Sequence, residues 1–291
     1  MKTTTKLREL IKSKELIVAP GAFSPLCAKM IQKVGFNCVY MSGYGVAAYR
    51  LGFPDVGLMT MNESLDTARA IAQACDLPVI ADVDNGYGNV INVKRTVEEY
   101  ELAGVAGIQL EDQSWPKRCG HMEGKVLISA EEMVQKIRIA VASRKDPDFV
   151  IVARTDANTV LGFDEAIRRS NLYAEAGADI IFFESPTSDE QVEKIPDLVH
   201  APVMLNMSEG AKTPLRNNAE IRSLGYKLVI WPSSATWAAA RAIQEIYQIL
   251  KDKGTTGEDL EMVILFHEFN DLIGLPEVMR LSDEYKTGTT Y

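Results

Sequence analysis

The chain has 291 residues, 46% of them hydrophobic and 24% charged, with a formal net charge of −9. Such a composition describes a soluble globular protein with ample core. The acidic balance, with no long Lys/Arg run, argues against a nucleic-acid partner, and no apolar run approaches the roughly 20 residues of a membrane helix.

The amino terminus, "MKTTTKLRELIKSKELIVAPGAF", alternates Lys and Leu before an apolar run too short for a signal-peptide core, so no targeting segment is expected. Short apolar runs then recur as "LIVAPGA", "CVYMSG", "PVIADVD", "GIQLED", "FVIVARTDA", "ADIIFFES", "PVMLNMS" and "KLVIWPS", with amphipathic stretches between most of them. Continuous apolar strands suit a parallel sheet covered on both faces. Gly35, Gly104, Gly177 and Gly225 each end a helical pattern and lead straight into a strand, as helix-closing glycines do. Eight such units without a long linker predict an α/β fold, one (β/α)8 TIM-type barrel over residues 1–291, rather than a doubly wound sheet. From about residue 235, "ATWAAARAIQEIYQILKDKG" and "LEMVILFHEFNDLIGL" add helices beyond what the barrel requires, with apolar surface that needs a partner.

Active sites of such barrels sit at the carboxyl ends of the strands, and the polar residues fall there. Strand two leads into Tyr40, Ser42 and Gly43; strand three ends in Asp82 and Asp84, strand four in Glu111 and Asp112. Arg154, Thr155 and Asp156 end strand five, Glu184 strand six, and Asn206 and Ser208 strand seven. Helix capping explains some of this polarity, at Asp112 or Ser208 for example. On a strand, Asp82 and Asp84 would share one face, and with Glu111 they form an oxygen-only set suited to Mg²⁺, with Mn²⁺ as the alternative. The competing reading is an ion-pair cluster with Arg154 or Lys94.

Cys27, Cys38, Cys75 and Cys119 form no C-x-x-C pair, so reduced thiols in a cytoplasmic protein are expected. Cys119 differs from the other three. It lies in "EDQSWPKRCGH", a stretch with no helical or strand period, with Lys117, Arg118 and His121 within two residues. Those cations would lower its pKa below the free-thiol value of about 8.5.

"ADVDNGYG", "IQLEDQ", "KRCGH" followed by Gly124-Lys125, "VARTDA" and "NMSEGAKTP" resemble, in order from about Pro20 to Trp231, the motifs of the isocitrate lyase and phosphoenolpyruvate mutase superfamily, most of all its short lyases. The resemblance implies a Mg²⁺-dependent carbon–carbon lyase working beside a pyruvyl unit. Asp84 would be the principal metal ligand, with Asp82 and Glu111 holding metal-bound water. Ser42, Gly43 and Tyr44 would bind the keto-acid carboxylate, with Asp55 in the adjoining loop. Arg154 would face the developing oxyanion, Glu184, Asn206 and Ser208 would complete the pocket, and Tyr40 would take the substrate hydroxyl proton. The loop carrying Lys117, Arg118, Cys119, Gly120 and His121 would close over the substrate, its cysteine protonating the departing carbon.

Phosphonate mutases of the superfamily lack this cysteine, which favours a lyase. Methylisocitrate lyases carry an Arg-Pro-Asn-Lys run after the loop histidine, where this chain has Met122-Glu123-Gly124-Lys125. One cation for a third carboxylate is missing, so the expected substrate is a substituted malate of the 2,3-dimethylmalate or 2-alkylmalate type. It would yield pyruvate or another 2-oxo acid plus a short carboxylate. The alternatives are cleavage of 2-methylisocitrate to pyruvate and succinate, a phosphonopyruvate-type mutase or oxaloacetate hydrolase, and a barrel kept for binding without turnover. The resemblance further implies homotetramers that exchange the helices of residues 235–291 between paired subunits.

Overall fold

The computed structural model describes residues 1–286. The chain forms two compact units that divide between Thr236 and Trp237. In the first, eight parallel strands close into a barrel in sequence order, β8 returning to β1 through Ile17 opposite Leu228. The strands are β1 (Ile17–Ala22), β2 (Val39–Met41), β3 (Val79–Asp82), β4 (Gly107–Glu111), β5 (Val150–Thr155), β6 (Ile180–Phe183), β7 (Val203–Asn206) and β8 (Leu228–Trp231). All eight apolar runs of the sequence are strands, and the expected TIM-type barrel is the fold.

Helices cover the outside: α1 (Thr3–Lys12) precedes β1, and α2 (Pro25–Val34), α3 (Gly43–Val46), α4 (Met61–Gln73), α5 (Val90–Leu102) and α6 (Ala130–Ser143) follow in turn. Beyond β5 come α7 (Asn158–Leu161), α8 (Phe163–Glu175), α9 (Asp189–Leu198) and α10 (Asn218–Ser223). Thr60 and Glu63 start α4 with a reciprocal capping box. Gly35 closes α2 at φ 101°, where a side chain would be strained. The same positive-φ turn recurs at Gly104, Gly177 and Gly225.

Alternation along the strands sorts the core into two layers. Tyr40, Ile80, Val152, Ile180, Phe182, Met204, Leu228 and Ile230 fill the barrel, with Leu7 of α1 packed into the same cluster. Their strand neighbours Val39, Val79, Ile108, Ile151, Ile181, Leu205 and Val229 pack outward. Except in β4, where Ile108 and Leu110 pack outward and the odd-numbered Gln109 and Glu111 face inward, the even-numbered residues from β2 to β8 point inward, and the next even positions toward the carboxyl ends are Ser42, Asp82, Arg154, Glu184 and Asn206. The alternation that builds the core also aims these polar groups into the barrel mouth.

The second unit continues α11 (Ser234–Lys253), which starts in the first, and holds α12 (Phe266–Ile273) and α13 (Leu275–Glu284). Phe266 is 75% and Val278 61% exposed, and Met279, Leu281 and Tyr285 are exposed as well. Among the described residues no helix is long and apolar enough to cross a membrane.

Candidate active site

Acids gather at the mouth beside β3 and β4. Asp82, Asp84 and Glu111 are buried. Asp84 departs from the expected strand geometry: β3 ends at Asp82, and Asp84 turns away at φ 49°. With Tyr87 at φ 58° and Ser185 at φ 55°, it is one of three non-glycine residues in left-handed backbone among the described residues, so local strain concentrates at this mouth. Asp82 Oδ1 accepts from the Asp84 N–H at 3.0 Å, which fixes the turn. Gly43 leaves room for Asp82: a Cβ there would stand 2.9 Å from Asp82 Oδ2.

Lys117 was expected beside the thiol, but it reaches into this acidic group. Its Nζ lies 2.7 Å from Asp55 Oδ1 and 2.9 Å from Asp84 Oδ1, with the side chain 1% exposed. The contact to Asp84 is an ion pair outside hydrogen-bond geometry, so Asp84 Oδ1 has no hydrogen-bond donor. Neither do Glu111 Oε1 and Oε2, although Arg154 Nη1 lies 3.3 Å from Oε2. Lys94, the other cation considered for an ion-pair cluster, pairs with Glu98 on the surface.

Burial, only partly offset by Lys117, raises the Asp84 carboxyl to about 7. Asp82 is raised by burial too, and Glu111 well above the usual range. Buried carboxylate oxygens that lack donors and bind protons too tightly fit a hard divalent cation. Among the described residues no three acidic, imidazole or thiol side chains converge closely enough to ligate one ion directly. An ion placed there would therefore have few direct protein ligands.

Across the mouth, Arg154 lies over the Phe182 ring at 5.3 Å. Its Nε and Nη2 bond the Asp156 carboxylate at 2.9 and 3.0 Å. Glu184 lies 3.7 Å from Arg154 Nε and accepts from Ser185 Oγ at 2.7 Å. Tyr40 is buried, donates to Gln109 Oε1 at 2.5 Å, and is pushed well above the usual phenol range by burial and then by Asp82. Ser42 caps α3, accepting from the Gly45 N–H at 3.2 Å, while Tyr44 is half-buried on the same turn. Ser208 is buried just past β7.

The segment after β4 folds back over this mouth. Its base is zipped: Ser114 N–H donates to Val126 O at 2.8 Å and Ile128 N–H to Asp112 O at 3.0 Å. Gln113 braces the interior, accepting from Arg118 N–H at 2.9 Å and donating to Arg118 O at 2.8 Å. Cys119 N–H donates to Asp55 O at 3.1 Å. Gly120 is pressed so close that a Cβ would stand 2.5 Å from Arg154 Nη2 and 2.8 Å from Glu184 Cδ. His121 Nδ1 lies 3.1 Å from Ser185 Oγ, and its Nε2 lies 3.3 Å from Asn206 Nδ2. The same Nε2 lies 3.7 Å from Glu184 Oε1.

Three expectations are corrected here. The Cys119 thiol is raised to about 11, not lowered, because burial and then the Asp55 carboxylate outweigh the cations, and Lys117 faces the acids. Arg118 stays outside the pocket, exposed, with its guanidinium on Glu123 O at 2.8 Å. Asp112 is no helix cap but a buried anchor, accepting from Thr155 Oγ1 (2.8 Å), Asp156 N–H (2.9 Å), Arg169 Nη1 (3.0 Å) and Tyr173 Oη (2.8 Å). Gln109 and Lys136 escaped the sequence reading. Gln109 had a signal, since it precedes Glu111 by two on an inward face; Lys136, which donates to Asn85 O at 3.0 Å, had none on its helix.

The sequence profile of the phosphoenolpyruvate phosphomutase family matches residues 7–251. The chain is 50% identical over 99% of its length to the 2,3-dimethylmalate lyase of Eubacterium barkeri, covering 100% of that protein. It is 45% identical over 92% of its length to a 2-methylisocitrate lyase of Aeropyrum pernix, covering 86% of it. A crystal structure of 2,3-dimethylmalate lyase superposes with a TM-score of 0.92 at 36% identity, covering 100% of this chain and 99% of that one. Phosphonopyruvate hydrolase in complex with oxalate and Mg²⁺ superposes at 0.89 and 32% identity, covering 98% and 99%. The chain belongs to the phosphoenolpyruvate mutase and isocitrate lyase superfamily. Within it, the chain is a carbon–carbon lyase.

Proposed function

We propose that this lyase cleaves the C2–C3 bond of a substituted malate, 2,3-dimethylmalate or a close 2-alkylmalate, with Mg²⁺ as its cofactor. For 2,3-dimethylmalate the products are pyruvate and propionate. The observation that carries the reading is the Cys119 loop folded over the mouth, its thiol kept protonated by burial and its neighbour Gly120 packed on Arg154. Likeness to 2,3-dimethylmalate lyase over the whole chain supports the substrate, and Met122-Glu123 in the loop supplies no cation for a third carboxylate.

Asp84, Asp82 and Glu111 would hold the metal, which when bound would supply positive charge beside the C1 carboxylate and the C2 oxygen and so favour loss of the C2 hydroxyl proton. The residues themselves account for the remaining steps. Ser42, Gly43 and the turn they begin bind the carboxylate of the pyruvyl half. With its carboxylate ionised in the metal-loaded site, Glu111 would take the C2 hydroxyl proton. Tyr40 would first have to give up its bond to Gln109, so we assign it to packing and orientation. Arg154, held flat by Asp156, faces the oxygen at C2 as charge moves onto it. When C2–C3 breaks, its electron pair goes to C3, where the adjoining carboxylate delocalises it. Cys119 then gives its proton to that carbon, and the closed loop keeps competing water away.

Free thiols at all four cysteines support a reducing, cytoplasmic setting. The exposed apolar residues of α12 and α13 support a tetramer in which the C-terminal helices are exchanged between subunits. The test is pyruvate release from 2,3-dimethylmalate, 2-ethylmalate, 2-methylisocitrate and oxaloacetate, with phosphonopyruvate followed for rearrangement. A larger kcat/KM for 2-methylisocitrate or oxaloacetate than for every substituted malate would overturn the substrate.

A further inference from the structure

Lys125 is a buried charge with no part in the chemistry described. Its flanking residues Gly124 and Val126 are exposed, yet the Lys125 side chain is 1% exposed. Burying an ammonium is costly unless acceptors surround it. Here there are two: Asp156 Oδ1 at 3.0 Å and the carbonyl oxygen of Gly120. Both lead back to reacting groups. Asp156 is the carboxylate that clamps Arg154, and its own N–H is anchored on Asp112 at 2.9 Å. Gly120 follows Cys119 and lies against Arg154.

We propose that Lys125 is a positioning residue of the lid: by holding the Gly120 carbonyl and Asp156 at once, it fixes the Cys119 thiol relative to the Arg154 guanidinium. This rests on the lyase reading, in which those two groups protonate the carbon and face the oxyanion. A loop carrying its own acid must return that acid to one place on every turnover. A lysine within the same loop does this by reading the position of Arg154 through the shared carboxylate. Burial raises the Asp156 carboxyl, but Arg154 and Lys125 outweigh it and hold Asp156 at about 2.

The test pairs Lys125→Met with Asp156→Asn and reads two quantities. The first is site-resolved iodoacetamide alkylation of Cys119 without substrate, followed by mass spectrometry so that the other three thiols do not interfere. Loss of the charge-assisted bond to Gly120 should free the lid tip and raise alkylation about tenfold or more. Exposure would also return the thiol toward its ordinary pKa, which adds to the rise. The second quantity is turnover: kcat should fall about tenfold or more while KM changes less than about threefold, because the acid is misplaced and the substrate carboxylates keep their partners.

Lys125→Met leaves Asp156 paired with Arg154, so the variant should fold. If it does not, Asp156→Asn carries the same two expectations. Cys119 alkylation within about twofold of wild type in a folded variant would overturn the proposal, because a residue that merely stabilised the fold would lower Tm and leave this rate unmoved. A wild-type enzyme inactive on every substituted malate would refute the proposed reaction instead and leave the alkylation result standing.

Discussion

Replacing Cys119 with serine separates a proton donor from a bystander in the lid. The thiol sits at about 11, so at pH 7.5 roughly 3 in 10,000 molecules carry the thiolate and the acid form is essentially full. An acid must be protonated to act, so its activity is present below its pKa and lost as pH rises through it. The Cys119 limb of the wild-type rate should therefore be flat through neutral pH and fall only near pH 11. Serine fills nearly the same space but is a much weaker acid, and the loop anchors at Gln113, Lys117 and Lys125 are untouched. Folding and metal affinity should stay as they are, while kcat drops about a hundredfold or more, roughly 2.7 kcal/mol of barrier. The assay is NADH-linked pyruvate release from 2,3-dimethylmalate with saturating Mg²⁺, from about pH 6 to about pH 11, with circular dichroism on both proteins. Turnover above about half of wild type in Cys119→Ser, or an alkaline limb near pH 8.5 that disappears in the variant, would refute the reasoning: the first removes the acid role, the second the buried thiol.

Exhaustive chelation should abolish turnover and Mg²⁺ restore it, with Asp84→Ala beyond rescue at ordinary Mg²⁺; full activity after chelation would exclude the metal. In the metal-free protein the Asp84 carboxyl is raised from 3.8 to about 7, so its contribution to stability is full below about pH 4 and is lost as pH rises through about 7. Added Mg²⁺ should accordingly raise Tm more at pH 8 than at pH 6, and an equal rise at both would contradict this account. Asp112→Ala strips the acceptor from four donors and leaves the Arg169 charge short of a partner, which should cost about 3 kcal/mol or more and lower Tm by roughly 6–12 °C by calorimetry. Light scattering at micromolar concentration should give a tetramer, and a fully active monomer would dissociate the exposed C-terminal helices from assembly.

The barrel was legible because its physics is local. Eight apolar runs, four of them entered from a helix-closing glycine, leave few other ways to cover a parallel sheet. Strand alternation then locates the mouth: once Ile80, Val152, Ile180 and Met204 are inside, Asp82, Arg154, Glu184 and Asn206 follow by parity. Asp84 broke that rule because the chain leaves β3 two residues earlier than the pattern implies, into a left-handed turn that an aspartate tolerates. Its place near Asp82 and Glu111 owes more to the turn than to the strand.

The loop was misread for a different reason. Proximity in sequence made Lys117, Arg118 and His121 look like a cationic shell around one sulfur, but a charge acts through space, and each of these side chains has a separate destination. Lys117 runs to Asp55 and Asp84, Arg118 to a surface carbonyl, and His121 to Ser185 and Asn206. At Cys119 burial and the Asp55 carboxylate, which favour the protonated thiol, outweigh the His121 backbone N–H, Lys117 and Arg154, which oppose them. The reversal suits the reaction. A depressed pKa would prepare a nucleophile, and carbon–carbon cleavage offers the lid no electrophile to attack. In the proposed reaction a carbanion needs a proton from a donor that is still neutral, and the raised pKa of the partly buried Cys119 thiol keeps it in that state.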